Sequence, residues 1–257
     1  MILDEIIAVK RREVAEGKRE TPLAALEARI AGLPPTRDFR QALAGAPGAI
    51  IAEVKRRSPS RGVIRADFDP VRIAEAYQAN GAAAVSVLTD ASFFGGSNGD
   101  LTAVKAAVSL PVLRKEFIID PWQVHETRAI GADALLLIAA VLSECALAEY
   151  RELAASLGLA SLVEVHDRRE LDAALASGAE IVGINNRDLR TFVTDIGTSA
   201  ALAPLVPADR IVVSESGIRS RQEIETLMRT GVRAFLIGET LVAAPDSGAA
   251  LRGLLER

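Results

Sequence analysis

Cysteine is nearly missing from this chain: Cys145 stands alone among 257 residues, beside only two histidines, His125 and His166. A lone thiol excludes an internal disulfide framework and suits a reducing compartment. Three such side chains also cannot supply a Cys/His zinc set, so no metal site is expected. Long apolar runs are missing as well. The longest, Ala134–Leu142, falls far short of the ~20 residues a membrane span needs. The opening stretch MILDEIIAVKRREVAE carries Asp4 and Glu5 where a secretory leader would be basic and then apolar. These absences predict a cytoplasmic protein with no membrane partner. There is no excess of positive charge: the net charge is −4 and the pI about 5.4. That excludes a broad nucleic-acid surface and leaves room for a local basic pocket. Lysine is scarce too, with five among 30 basic residues and arginine at the other 25. Lys55 and Lys115 both fall at the ends of predicted strands, where a removable proton or a compact ammonium matters.

What the chain does have is apolar mass and a repeat. With 49% hydrophobic residues over this length it can bury a large core, as one α/β barrel or as two smaller domains. Residues 1–48 read as helical. Ile2, Leu3, Ile6, Ile7 and Val14 fall on one stripe, Thr21-Pro22 opens a second helix, and Pro34-Pro35 ends it. Then a glycine precedes a strand-like run four times, at Gly81, Gly131, Gly178 and Gly231, each after a helical segment. That placement suits a left-handed residue ending a helix. Between these runs lie AIIAEVK (49–55), PVLRKEF (111–117), ASLVEVH (160–166) and RIVVSES (210–216). Eight strands alternating with helices predict an α/β fold, a (β/α)8 TIM barrel. It is expected to form a single domain over 1–257, with 1–48 as an N-terminal helical extension. An open doubly wound sheet would place a glycine-rich turn after its first strand. Here that strand runs into Lys55-Arg56-Arg57-Ser58-Pro59, and GGSNG (95–99) lacks the spacing and reads as a flexible loop.

Barrels of this kind carry their chemistry at the C-terminal ends of the strands. Those ends read Glu53 and Lys55, Lys115 and Phe117, Glu164, Asn185 and Arg187, then Glu215 and Gly217. Paired members lie two apart and so share a face. Seven polar or charged groups at one level cannot be a packed core, because unpaired buried charge is too costly. A ring of ion pairs closing the barrel top would balance charge. It would not require lysine over arginine, nor an asparagine, so a reaction site is the better reading. Ser216-Gly217 after the seventh strand and Gly238-Glu239 after the eighth suit an anion cradle, the usual phosphate position in this architecture. Ser58 adds a hydroxyl from across the mouth. His125 and His166 read as structural, His166 having no recognisable partner.

Seven segments together resemble one family: IIAEVKRRSPSRG (50–62), SVLTDASFFGGS (86–97), VLRKEFIID (112–120), LVEVHD (162–167), GINNRDLRTF (183–192), SESGI (214–218) and FLIGETLV (235–242). The chain is identified on them as similar to the indole-3-glycerol-phosphate synthase family over its whole length. Arg57, where a small residue is expected, and Glu116, where aspartate is common, depart from the pattern. The resemblance implies ring closure of a carboxyphenylamino deoxyribulose phosphate to indole glycerol phosphate, with loss of CO2 and water. On that reading Lys115 is the general acid and Glu164 the base, with Glu53 and Asn185 orienting hydroxyls and lysines. Lys55 and Arg187 face the substrate carboxylate, with the phosphate also in reach of Lys55. Phe94, Phe117 and Leu136 wall the aryl ring. Neither metal nor organic cofactor is needed, the only partner is a phosphorylated small molecule, and a monomer is expected. Phosphoribosylanthranilate isomerase, a related barrel, would place a cysteine near the end of the first strand; Glu53 and Lys55 stand there instead. A barrel that only binds phosphorylated metabolites would not need both Lys115 and Glu164.

Overall fold

The computed structural model describes residues 2–59, 61–188, 191 and 193–256. Ser60, in the first of the seven segments, and Leu189, Arg190 and Phe192, in the fifth, lie outside the described residues. Eight parallel strands close into a barrel: β1 (Ala49–Val54), β2 (Ala84–Leu88), β3 (Val112–Lys115), β4 (Ala134–Ile138), β5 (Ala160–Val165), β6 (Ile181–Asn185), β7 (Ile211–Glu215) and β8 (Ala234–Ile237). Their order around the barrel is their order in the chain, and β8 pairs back onto β1 with Ala49 opposite Ala234.

Helices α1 (Ile2–Glu20), α2 (Leu23–Ala31) and α3 (Phe39–Ala44) precede the barrel. Around it run α4 (Pro70–Ala79), α5 (Asn98–Ala107), α6 (Pro121–Ala129), α7 (Glu144–Ser156), α8 (Arg168–Ala176), α9 (Gly197–Leu202), α10 (Arg221–Met228), α11 (Glu239–Val242) and α12 (Ser247–Leu255). Most of the outer helices start where a short polar side chain can accept a backbone N–H: Asp69, Ser97, Asp120, Ser143, Asp167, Ser220 and Asp246 all do so. Gly81, Gly131, Gly178 and Gly231 all have positive φ, as helix-ending glycines should. The stretch 95–99 is not all loop. Ser97 accepts the Asp100 N–H at 3.0 Å, which makes Asn98 and Gly99 the first turn of α5. Gly96 is required for another reason, since any Cβ there would collide with the Leu88 carbonyl.

Because strand side chains alternate, each strand feeds two cores. Outward residues such as Ile50, Val85, Val163 and Phe235 pack under the helices. Inward residues such as Ile51, Leu113, Leu136, Leu162 and Val213 fill the barrel. The third helix is a feature the sequence reading merged into its extension. Asp38 caps it by accepting the Gln41 N–H at 2.8 Å. Phe39 and Leu43 then enter the interior cluster, each 1% exposed. They seal the floor, so the open end is the one that carries the charged residues. The outward-facing Arg114 is also buried. It is neutralised by Glu126 at 2.7 Å and donates to Thr89 at 3.1 Å.

Candidate active site

The barrel mouth is a pocket that gathers every site residue named from the sequence. Glu53, Lys115, Glu164, Asn185 and Glu215 come from the last inward turns of five strands. Lys55, Ser58, Phe94, Phe117, Arg187, Ser216, Gly217, Gly238 and Glu239 come from the segments just beyond, and Leu136 lies deeper on β4. Cys145, on α7, is exposed and does not line the pocket. Among the described residues, no three His, Cys, Asp or Glu side chains gather so as to hold a metal ion.

Lys115 is the electrostatic centre. Its Nζ lies 2.8 Å from Glu164 Oε2 and 3.2 Å from Glu215 Oε2. Burial alone would favour the neutral amine, but Glu164, Glu215 and Glu53 prevail and raise its pKa above the ordinary lysine value. The group is therefore a firmly held ammonium. Burial likewise pushes Glu164 toward its neutral form, and Lys115 and His166 overcome this, lowering it to about 2. Glu215 goes the other way: burial and the nearby Glu164 outweigh Lys115 and raise it to about 7. The two carboxylates flanking one lysine thus differ in state, one ionised and one able to hold a proton near neutrality. Lys55 pairs with Glu53 at 2.6 Å. The ion pairs considered from the sequence do form, yet they leave a cavity above them instead of closing the top.

His166 has partners, contrary to the sequence reading. Its Nδ1 lies 2.9 Å from Glu170 Oε2 and its Nε2 lies 3.4 Å from Glu164 Oε1. Burial lowers its pKa, but Glu170 and Glu164 more than reverse this, so it holds its proton more tightly than a free imidazole. Glu170, in the first turn of α8, reaches back past the cap residue Asp167 and also accepts the His166 backbone N–H at 2.8 Å.

Two glycines make room for carboxylates. A side chain at Gly183, inward on β6, would strike Glu215 Oε1, and one at Gly238 would strike Glu53 Oε1. Gly238 therefore has a reason beyond the close backbone approach inferred from sequence. Any larger residue there disturbs Glu53. A glycine within a strand, on the inward face, was the visible mark of the Gly183 site. The loop after β7 turns through two left-handed residues, Ser216 at φ 67° and Gly217 at φ 80°. Ser216 lacks the freedom of glycine, and its carbonyl is held by the Asn186 side chain at 3.0 Å. Glu239, at the start of α11, pairs with Arg61 at 2.7 Å and Arg187 at 3.4 Å. Arg57 reaches the carbonyls of Ala91 and Ser92, tying the segment after β1 to the one after β2.

The apolar side is wider than the sequence suggested. Phe94 and Phe117 stand with ring centroids 6.1 Å apart. Ile2, Leu3 and Ile6 of α1 also line the pocket. The stripe on α1 was legible, but nothing local said that it covers the mouth.

Comparison with known proteins bears on this arrangement directly. The family model for indole-3-glycerol phosphate synthase matches residues 3–254. An indole-3-glycerol phosphate synthase of Acidithiobacillus ferrooxidans is 53% identical, with 98% of each chain covered. One of Burkholderia vietnamiensis is 54% identical, with 97% of each covered. Among solved structures, a thiamine phosphate pyrophosphorylase from Pyrococcus furiosus superposes with a TM-score of 0.63 at 16% identity, covering 85% of this chain and 96% of that one. A 3-hexulose-6-phosphate synthase gives 0.63 at 14%, covering 80% and 97%. At such low identity these two speak for the barrel alone. The sequence matches span nearly the whole chain, the helices before the barrel included, and on them the chain belongs to the indole-3-glycerol phosphate synthase family.

Proposed function

We propose that the mouth of this barrel closes 1-(2-carboxyphenylamino)-1-deoxyribulose 5-phosphate to indole-3-glycerol phosphate, the ring-forming step of tryptophan biosynthesis. The observation that carries the reading is Lys115 held as an ammonium between Glu164 and Glu215, beside the Phe94–Phe117 wall.

In the first step the aryl carbon bearing the carboxylate attacks the ketone carbon. The carbonyl electron pair moves to oxygen, and Lys115 supplies the proton. Its raised pKa suits this order of events, because only the developing alkoxide is basic enough to take that proton. The carbon–carboxylate bond then breaks, CO2 leaves, and its electron pair restores the benzene ring. Finally the new hydroxyl leaves as water with a proton from the site, while Glu164 takes a proton from the carbon beside the nitrogen. The balance consumes one proton per turnover, because a carboxylate has become CO2. Glu164 is suited to the last step because Lys115 and His166 keep it ionised.

Lys55 and Arg187 face the carboxylate, and Glu53 and Asn185 fix the lysines and the hydroxyls. The phosphate lies on the segments of Ser216, Gly217, Gly238 and Glu239, with Ser58 opposite and in reach of Lys55. Glu239 directs its carboxylate to Arg61 and Arg187, which suits an anion placed on its backbone side. Among the described residues no helix is long and apolar enough to cross a membrane.

The test is turnover of the carboxyphenylamino deoxyribulose phosphate, followed by indole fluorescence. Product at a catalytic rate is expected. Binding without turnover by folded protein would overturn the reading in favour of a metabolite-binding barrel.

A further inference from the structure

Lys10 lies in the middle of α1 and is 4% exposed. Its Nζ is 2.6 Å from Glu13 Oε2, 2.9 Å from Glu116 Oε1 and 3.0 Å from Asp90 Oδ2. Asp90 and Glu116 are themselves buried, at 0% and 4% exposure, so the cation is what makes their charges tolerable. Each of these carboxylates has a second task. Asp90 Oδ1 accepts the N–H groups of Phe93 at 2.7 Å and Phe94 at 3.1 Å. Glu116 Oε1 accepts the N–H of Phe117 at 2.8 Å, and its Oε2 accepts from Thr89 at 2.8 Å. One lysine therefore joins the two carboxylates that fix the backbone of Phe94 and of Phe117. These loops are 23 residues apart in sequence, and their rings meet in the pocket. The same helix sends Ile2, Leu3 and Ile6 into that pocket. Glu13 adds a further tie, accepting from Ser92 at 2.9 Å in the loop that carries Phe94.

We propose that Lys10 is a positioning residue that assembles the aryl wall of the site, registering the α1 side chains against Phe94 and Phe117. The inference rests on the reading of that wall as the aryl subsite. A lysine suits the task better than an arginine: a compact ammonium can meet three carboxylate oxygens from different directions, whereas a planar fork meets two in one plane. Among the described residues no hydrogen bond or ion pair of this cluster reaches the segments after β7 and β8, so the two halves of the substrate should respond separately to its loss.

The test compares Lys10→Met and Lys10→Arg with the wild type. Three quantities are read: KM and kcat for the carboxyphenylamino substrate, inhibition by indole as an aryl probe, and inhibition by inorganic phosphate. The chain's single tryptophan reports whether α1 is still docked. Trp122 closes over Gly17 and donates to the Thr21 carbonyl at 2.9 Å. Lys10→Met is expected to raise KM about tenfold and weaken indole by a similar factor, with kcat reduced less and phosphate inhibition kept within about twofold. Lys10→Arg retains the charge and should show the same pattern at about threefold. If Lys10→Met does not fold, Lys10→Arg decides alone. KM and indole inhibition within twofold of wild type would overturn the proposal, as would equal loss of indole and phosphate inhibition. A wild type that binds these probes without turnover would instead strike at the reading of the reaction.

Discussion

The two ends of the barrel are built from the same eight strands, yet they follow opposite rules. At the floor the inward positions are Ala49, Ala84, Ala134, Ile181, Ile211 and Ala234, closed by Phe39 and Leu43. Four residues further along β1, β6 and β7 the inward positions are Glu53, Asn185 and Glu215, and β3 and β5 reach the same mouth with Lys115 and Glu164. The floor releases apolar surface from water and stabilises the fold. The mouth holds three inward carboxylates around Lys115 and Lys55, an arrangement whose desolvation costs stability. A barrel can carry such a mouth because its floor and its outer shell supply the folding free energy. Activity and stability should therefore separate between the two ends.

The largest effect is expected from Glu164, the proposed base. Glu164→Gln keeps the shape and removes the proton acceptor, so kcat should fall by roughly 10²–10⁴. The substrate should still bind, and stability should change little by comparison. A near-normal kcat would leave Glu164 as a member of an ion-pair ring and nothing more.

The floor should answer the other way. Phe39→Ala empties a fully buried site and should cost about 3–5 kcal/mol of unfolding free energy. The kcat of the molecules that remain folded should stay within about twofold, because Phe39 sits in the interior cluster and does not line the pocket. Denaturant unfolding beside active-site titration checks both halves. Loss of kcat in step with stability would mean that the two ends are mechanically coupled.

Lys115→Arg sharpens the comparison within the mouth. Arginine serves almost everywhere else in this sequence, so a merely positive charge would be replaceable. A planar guanidinium fork cannot set a compact N–H donor in the place the Lys115 ammonium occupies between Glu164 and Glu215. Misplacing the donor by on the order of 1 Å costs a factor of ~10². The variant should fold, bind product-like anions and turn over at well below a tenth of the wild-type rate. More than about a tenth, a loss under ~1.4 kcal/mol of barrier, would remove Lys115 from the general-acid role and direct attention to Lys55.

The contrast between ends also explains what the sequence could reveal. The strands were legible because glycines end the preceding helices and because each strand is a short apolar run with a partner period. The charged mouth was legible because a strand puts residues two apart on one face, so Glu53 with Lys55 and Asn185 with Arg187 announce themselves locally. What stayed hidden depends on distant neighbours. Lys10 meets Asp90 and Glu116 about 80 and 106 positions away, and no spacing rule connects them. Gly183 is a bare inward position whose meaning is the Glu215 side chain on the next strand. Arg57 could be flagged as unusual, but its reach to the loop after β2 is a tertiary fact.

The smallest predicted effect concerns His166, which sits where the mouth meets α8. Glu164 is faced by Lys115 from β3, by Asn185 from the adjacent β6, by Glu215 from β7, and by His166 backed by Glu170. Of these groups, Lys115 and His166 are the two whose positive charge keeps Glu164 ionised. Replacing His166 by Gln leaves Lys115 in place and removes one of them, so the Glu164 pKa should rise from about 2. The acid limb of kcat/KM should move up in pH accordingly, with the rate near neutrality reduced by less than tenfold. Stability carries a second, independent sign. The folded-state pKa of His166 is raised above 6.5, so its contribution is fully present below about pH 6.5 and is lost as the pH rises through the folded value. Wild type should therefore exceed His166→Gln in Tm by more at pH 6 than at pH 9. Glu215, raised to about 7, has the same sign and loses its contribution as the pH rises through that value, but it is present in both proteins and largely cancels in the difference. An unmoved acid limb together with a pH-independent Tm difference would make His166 a packing residue. A moved limb would extend the charged mouth outward to Glu170, one element beyond the strand ends.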